Sequence, residues 1–90
     1  MTKEPSIVSL TNLLTGEKYY FKSINPEKDV VSVRFKLDLN MFPCKNLQED
    51  YKKTGLEAFQ FDAVETVEIT DLDSKLAYYL NKANQTKLYN

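Results

Sequence analysis

Ninety residues, 42% of them hydrophobic, suffice for one small domain and leave no room for a second core. Lys+Arg number 12 against Asp+Glu 13, which excludes the highly charged, weakly hydrophobic polymer of intrinsic disorder; a pI near 5.4 argues against strong nucleic-acid binding. With no histidine and one cysteine, Cys44, the chain cannot close an internal disulfide or build a thiol-rich zinc site, and it lacks the commonest acid/base near neutral pH.

The first element is "SIVSLTN", rich in β-branched residues and read as a strand; "EKYYFKS" reads as a second. Between them "LLTGE" offers Gly16 for a positive φ, so the two form a hairpin. "INPEKD" breaks the pattern, with Pro26 fixing φ and Asn25 or Asp29 available to turn or cap the chain. In "VVSVRFKLDLNMF", Val31, Val33, Phe35, Leu37 and Leu39 alternate with polar residues, while Val30, Val33, Leu37 and Met41 also share one side of a helix. The alternation and the valines favour a strand.

"CKNLQEDYKKTG" reads as a short helix in which Asn46 caps and Glu49 completes the capping-box spacing. Leu47 and Tyr51, four apart, face inward; Gly55 terminates the helix, with Lys52 and Lys53 at the carbonyl end of its dipole. "FQFDAVETVEI" alternates as a strand, with Phe59, Phe61 and Ala63 on one side and a change of phase at Val64, Val67 and Ile69. "DLDSKLAYYLNKAN" is a last helix, capped by Asp71 or Asp73, with Leu72, Leu76, Tyr79 and Leu80 as its apolar stripe. The order β, β, undecided, α, β, α predicts an α+β fold, as a single domain over 1–90 with a core at about 6–81 and short polar tails.

Two blocks carry a resemblance. "LTNLLTGEKYYFKS" and, more specifically, "KNLQEDYKKTGLEAFQFDAVE", through Leu47, Gln48, Tyr51, Gly55, Phe59, Phe61 and Glu65, make roughly residues 7 to 80 resemble the GIY-YIG endonuclease superfamily. The resemblance implies a small three-stranded antiparallel sheet flanked by helices, and it implies that "VVSVRFKLDLNMF" is at least partly helical. It also implies a chemistry: a tyrosine as or beside the general base, an arginine on the first helix against the phosphate, and a glutamate holding one divalent ion. Carried over residue by residue, that chemistry is sparse here. "SIV" stands where the first tyrosine motif belongs; Tyr20 matches the second motif but Lys22 replaces its glycine. The arginine position falls near Asp29 or Val30, with Arg34 about a helical turn later, and Lys75 or Leu76 stands where the metal glutamate belongs. Neither can ligate a hard cation.

Two functions from different classes follow as expectations. The first is a non-catalytic GIY-YIG-like domain that binds nucleic acid weakly, or a protein partner, through Tyr19, Lys22, Lys52 and Lys53, with no cofactor. The alternative is a divergent DNA endonuclease dependent on Mg²⁺ or Mn²⁺, with Tyr20 and Arg34 catalytic and Glu65 or Glu68 recruited. The missing metal ligand favours the first. The acidic run Glu57, Asp62, Glu65, Glu68, Asp71 and Asp73 reads as a solvated face, since strand alternation splays it, and Cys44 as a packing residue with no histidine to activate it. Residues 56 to 74 hold six acids and no base, whereas 75 to 90 hold three lysines and no acid. The start of the chain carries no secretory signal, and nothing reaches membrane-spanning length, so the expected location is the cytoplasm.

Overall fold

The computed structural model describes residues 2–90. Three strands, β1 (Ser6–Asn12), β2 (Lys18–Ser23) and β3 (Phe59–Thr66), form an antiparallel sheet in the order β2-β1-β3. Helices α1 (Pro26–Asp38), α2 (Lys45–Thr54) and α3 (Leu72–Lys82) complete the α+β fold, with single-turn 3₁₀ segments at Leu56–Ala58, Ile69–Asp71 and Gln85–Lys87. The central strand is the most buried element, since it is covered on both edges and both faces: Ile7, Val8 and Leu10 have no exposed surface.

Strand alternation divides the side chains between two layers. Val8 and Leu10 lie opposite Phe21 and Tyr19 on β2, and Leu10 lies opposite Phe61 on β3; this face packs on Leu37 of α1 and on Leu47 and Tyr51 of α2. Ile7 and Ser9 lie opposite Lys22 and Tyr20, and this other face carries α3. The phase change expected in β3 is a register shift: Ile7 pairs with Glu65 and Val8 with Ala63, leaving Val64 without a counterpart. The shift turns Glu65 to the α3 side.

The β1–β2 connection is closed by Asn12, whose side chain accepts from Leu14 N (2.9 Å), while Gly16, at φ 80°, donates to the Asn12 carbonyl (2.7 Å).

The segment that alternation assigns to a strand is helical. Asn25 caps α1 through its side chain, which accepts from Lys28 N, and Pro26 occupies the first helical position, so the chain enters a helix before the valines begin. Val30, Val33 and Leu37 then turn toward the core, whereas Val31, Phe35 and Leu39 stay exposed. Apolar residues on two sides of one helix imitate the two-residue period of a strand. The helix ends in a Schellman turn: Asn40, at φ 59°, donates to Leu37 O (3.2 Å) and Met41 donates to Lys36 O (2.8 Å).

Two further expectations are corrected. Asn46 does not cap α2; the helix starts at Lys45 after Cys44, without a side-chain cap. Its start is held instead by buried Gln48, which accepts from Phe42 N (3.0 Å) and donates to Leu37 O (2.9 Å), tying the loop before α2 to the end of α1. The core also does not stop near residue 81. Tyr89 is 7% exposed: its hydroxyl donates to Asp50 (2.7 Å) and accepts from Asn12 Nδ2 (3.0 Å), and its backbone N–H donates to Lys18 O (2.8 Å). Next to it the Asn90 side chain makes a reciprocal pair with the Tyr20 backbone at 2.8 and 2.9 Å.

Candidate functional site

The strongest gathering of chemically capable side chains lies on the α3 face of the sheet. Tyr20 leaves β2 on that face and stacks on Tyr79, ring centroids 5.6 Å apart and planes 25° from parallel. The Tyr79 hydroxyl donates to Glu65 Oε1 at 2.7 Å, and Lys75 Nζ lies 3.2 Å from Glu65 Oε2. One turn of α3 separates Lys75 from Tyr79, so the helix presents both to the carboxylate that the β3 register shift has turned toward it.

The electrostatics follow from those contacts. The donated phenol hydrogen, and then the Lys75 ammonium, hold the Glu65 carboxyl below its usual value. In return the Tyr79 phenol is pushed up to about 12, first because ionising would break its bond to Glu65 and then through burial. At neutral pH the trio is therefore a carboxylate, an ammonium and an intact phenol. Both Glu65 oxygens are engaged.

Beside the trio runs a groove of about 610 Å³ where the end of β2 meets the starts of α1 and α3, lined by Lys22, Ser23, Lys28, Asp29, Leu72 and Asp73 among others. Lys22 and Asp73 bridge it as an ion pair, and the buried Ser23 hydroxyl donates to Asp29. A second concavity of about 620 Å³, with Glu4, Glu65, Glu68, Asp71 and Lys75 in its walls, lies at the end of β3.

On the solvent side of α3, Tyr78 is 51% exposed, packs edge-on against Tyr79, and has the ammonium groups of Lys75 and Lys82 each 5.5 Å from its ring centre. Positions 75, 78 and 82 fall on one helical face, so an aromatic flanked by two cations is displayed together.

The residues singled out in the sequence scatter across this frame. Tyr20 and Lys22 lie on the α3 side. Tyr19 points to the opposite layer, half-buried with its ring edge-on to Phe42 at 5.3 Å, and burial raises its pKa, with Cys44 adding to the effect. Arg34 is exposed on α1 in a shallow cleft with Val31, Phe35 and Asp38, near enough to Tyr51 to act on its ionisation. Tyr20 and Arg34 stand in separate clefts, Tyr20 with Gly16, Lys18 and Leu88 and Arg34 with Val31, Phe35 and Asp38. Lys52 and Lys53 are exposed in the last turn of α2, away from Lys22. Cys44 packs against the core, with its thiol 3.4 Å from Tyr89 O.

Among the described residues no three carboxylate or thiol groups converge, and the one carboxylate beside the stacked tyrosines is held by a lysine and a phenol. Sequence reading names Lys75 only as a missing ligand and Tyr79 only as apolar stripe. The signal for their meeting is the spacing of Lys75 and Tyr79 on one helix, together with the phase change that redirects Glu65.

The fold has close counterparts among solved structures. Two structures of the catalytic domain of the intron or homing endonuclease I-TevI, one of them a point mutant, superpose with a TM-score of 0.88 at 19% identity. Each covers 97% of this chain, and this chain spans 92% and 97% of theirs. The three-stranded sheet and its helices thus share the α+β fold of the I-TevI catalytic domain. No protein-family profile matches the sequence, and no curated protein does.

Proposed function

We propose that this chain is a non-catalytic binding module on a GIY-YIG-type scaffold. One observation carries the reading: on the sheet face where Tyr20 stands, both oxygens of the Glu65 carboxylate are engaged, one by the Lys75 ammonium and one by the Tyr79 hydroxyl. A metal-dependent phosphodiester cleavage needs a cation to offset charge on the attacking and leaving oxygens. Here the available carboxylate is bound to an ammonium, which cannot generate a metal-bound hydroxide. The module works without a cofactor.

The ligand that the surface fits best is a nucleic-acid strand, with a protein partner as the other reading. Tyr78 offers an exposed ring on which a base stacks, and Lys82 beside it offers charge to a flanking phosphate. A net charge of -1 keeps such binding weak and salt-sensitive.

Fluorescence anisotropy with a labelled oligonucleotide, paired with a plasmid-nicking assay in Mg²⁺ or Mn²⁺, tests both halves. The expected result is binding that weakens with added salt, loses about 1–3 kcal/mol in Tyr78→Ala, and leaves the plasmid intact. Nicking that follows the protein through purification and vanishes in Tyr20→Phe would replace this reading with the nuclease. Absence of salt-sensitive binding would leave the protein partner.

A further inference from the structure

The three lysines of residues 75 to 90, a stretch without an acid, differ in their partners. Lys75 is held by Glu65, whereas Lys82 and Lys87 make no ion pair among the described residues, and neither does Lys18 of β2. The fold gathers these last three around the C-terminal end of α3. Lys82 stands in its last turn, and Lys18 and Lys87 line one cleft of about 200 Å³ together with Tyr20, Ala83 and Asn84. The Lys87 ammonium donates to Thr15 O (3.0 Å), a neutral carbonyl that leaves its charge unopposed. Glu17, next to Lys18 in the chain, acts instead on Tyr89, which packs in the layer of α1 and α2.

The exposed Tyr78 ring adjoins this cleft. Lys82, with its ammonium 5.5 Å from the ring centre, immediately precedes Ala83 in the cleft wall. The rings also run in file from Tyr78 to Tyr79 (5.5 Å) and on to Tyr20 (5.6 Å), which lines the cleft. An aromatic platform thus leads into a concavity with two cations. Two features of this surface select against a duplex. A stacking platform needs a base with an open face, and in a duplex each base is already stacked between its neighbours. The cleft is also too small: a double helix, whose major groove alone is about 12 Å wide, cannot enter it, whereas the sugar-phosphate of one nucleotide can.

We infer, resting on the binding reading above, that this surface takes single-stranded nucleic acid in preference to duplex. One base stacks on Tyr78, its phosphate meets Lys82, and the strand continues into the cleft between Lys18 and Lys87. The recognised chemistry, an unpaired base beside a phosphodiester, is common to DNA and RNA.

Fluorescence anisotropy on the full chain reads this, with a short labelled oligonucleotide offered as a single strand and annealed to its complement, in DNA and in RNA form. Circular dichroism on every variant confirms folding. The single strand should bind about 10-fold tighter than the duplex or better, and the tighter of the DNA and RNA strands names the source. Three lysines on phosphates predict a slope of log K against log salt near about −2, from roughly 0.7 per phosphate on a single strand. Lys18→Gln, Lys82→Gln and Lys87→Gln should each make that slope shallower by about 0.7. Tyr78→Leu should weaken binding about 10-fold and leave the slope unchanged. Lys53→Gln, exposed on α2 and off this surface, should alter neither. Duplex binding as tight as single-strand binding, or a slope indifferent to the three lysine variants, would overturn this inference while leaving a nucleic-acid module in place. Absence of salt-sensitive binding to any of the four probes would overturn the nucleic-acid reading itself, and this inference with it.

Discussion

At the residue scale, Glu65 is held by two donors of different kinds, a neutral phenol and an ammonium, which lets their contributions be separated. The hydroxyl of Tyr79 is the larger cause of the lowered Glu65 pKa and Lys75 the next. Tyr79→Phe removes the first while keeping the ring that stacks on Tyr20, so the Glu65 carboxyl should titrate at higher pH than in the wild type. Lys75→Ala should move it the same way by less. Carboxyl-carbon NMR titration measures both. The linkage sign follows: a carboxyl lowered on folding adds stability above its unfolded pKa of about 4.5, and that stability disappears as pH falls through the folded value. Tyr79→Phe should therefore flatten the acid limb of the stability profile. If Glu65 titrates identically in wild type and Tyr79→Phe, the hydroxyl contact is absent in solution. The sequence carries part of this arrangement: the change of phase at Val64, Val67 and Ile69 marks the β3 register shift that turns Glu65 toward α3, whereas its meeting with Lys75 and Tyr79 depends on how α3 packs on the sheet, which alternation along one strand does not report.

At the scale of elements, the Gly55 stop and the inward face of α2 are legible in the sequence, but the start of α2 and the two-sided apolar pattern of α1 are not. Asn25-Pro26 announces a helix start, and Gly55 a stop at φ 80°. Leu47, Tyr51 and Phe59 are buried as their spacing requires. What misleads in α1 is that Val31, Phe35 and Leu39 are apolar without being buried, so counting apolar residues does not report the core. The turn after α1 is readable in principle: Asn40 is the one non-glycine residue at positive φ among those described, and asparagine tolerates that conformation better than most side chains. Asn40→Val should cost about 1–2 kcal/mol, since a β-branched side chain there strains both the residue and the two hydrogen bonds that close the helix. Urea unfolding compares the two proteins, and a midpoint unchanged within error would mean that the turn relaxes without penalty. Asn40→Gly, free of that strain, is the control that should keep wild-type stability or exceed it.

For the molecule as a whole, the binding of separate layers by tyrosine hydroxyls sets its response to alkali. Tyr51 of α2 donates to Asp38 of α1; Tyr79 of α3 donates to Glu65 of β3; Tyr89, near the last described residue, joins Asp50 of α2 to Asn12 of β1. All three phenols are pushed up to about 12 from an ordinary 10.0: burial leads for Tyr51 and Tyr89, with their aspartates next, and the bond to Glu65 leads for Tyr79. A folded-state pKa above the unfolded one means that the native form retains protons the unfolded form has released. The stability they contribute is complete below about pH 10 and is lost as pH rises toward 12, with a slope approaching three protons in the upper part of that window. Denaturant midpoints measured from neutral pH upward should be level at first and then fall steeply, as phenolate absorbance appears together with unfolding. Tyr89→Phe separates this from a general effect of alkali: it should cost about 1–3 kcal/mol at neutral pH, because Asn12 and Asp50 lose a buried partner, and should make the alkaline fall shallower by about one proton. The reach of Tyr89 into the core, beyond a helix that looks from sequence like the last element, is why residues 88–90 belong to the fold. A wild type whose midpoint holds level through pH 12 would show that these hydroxyls do not join the layers.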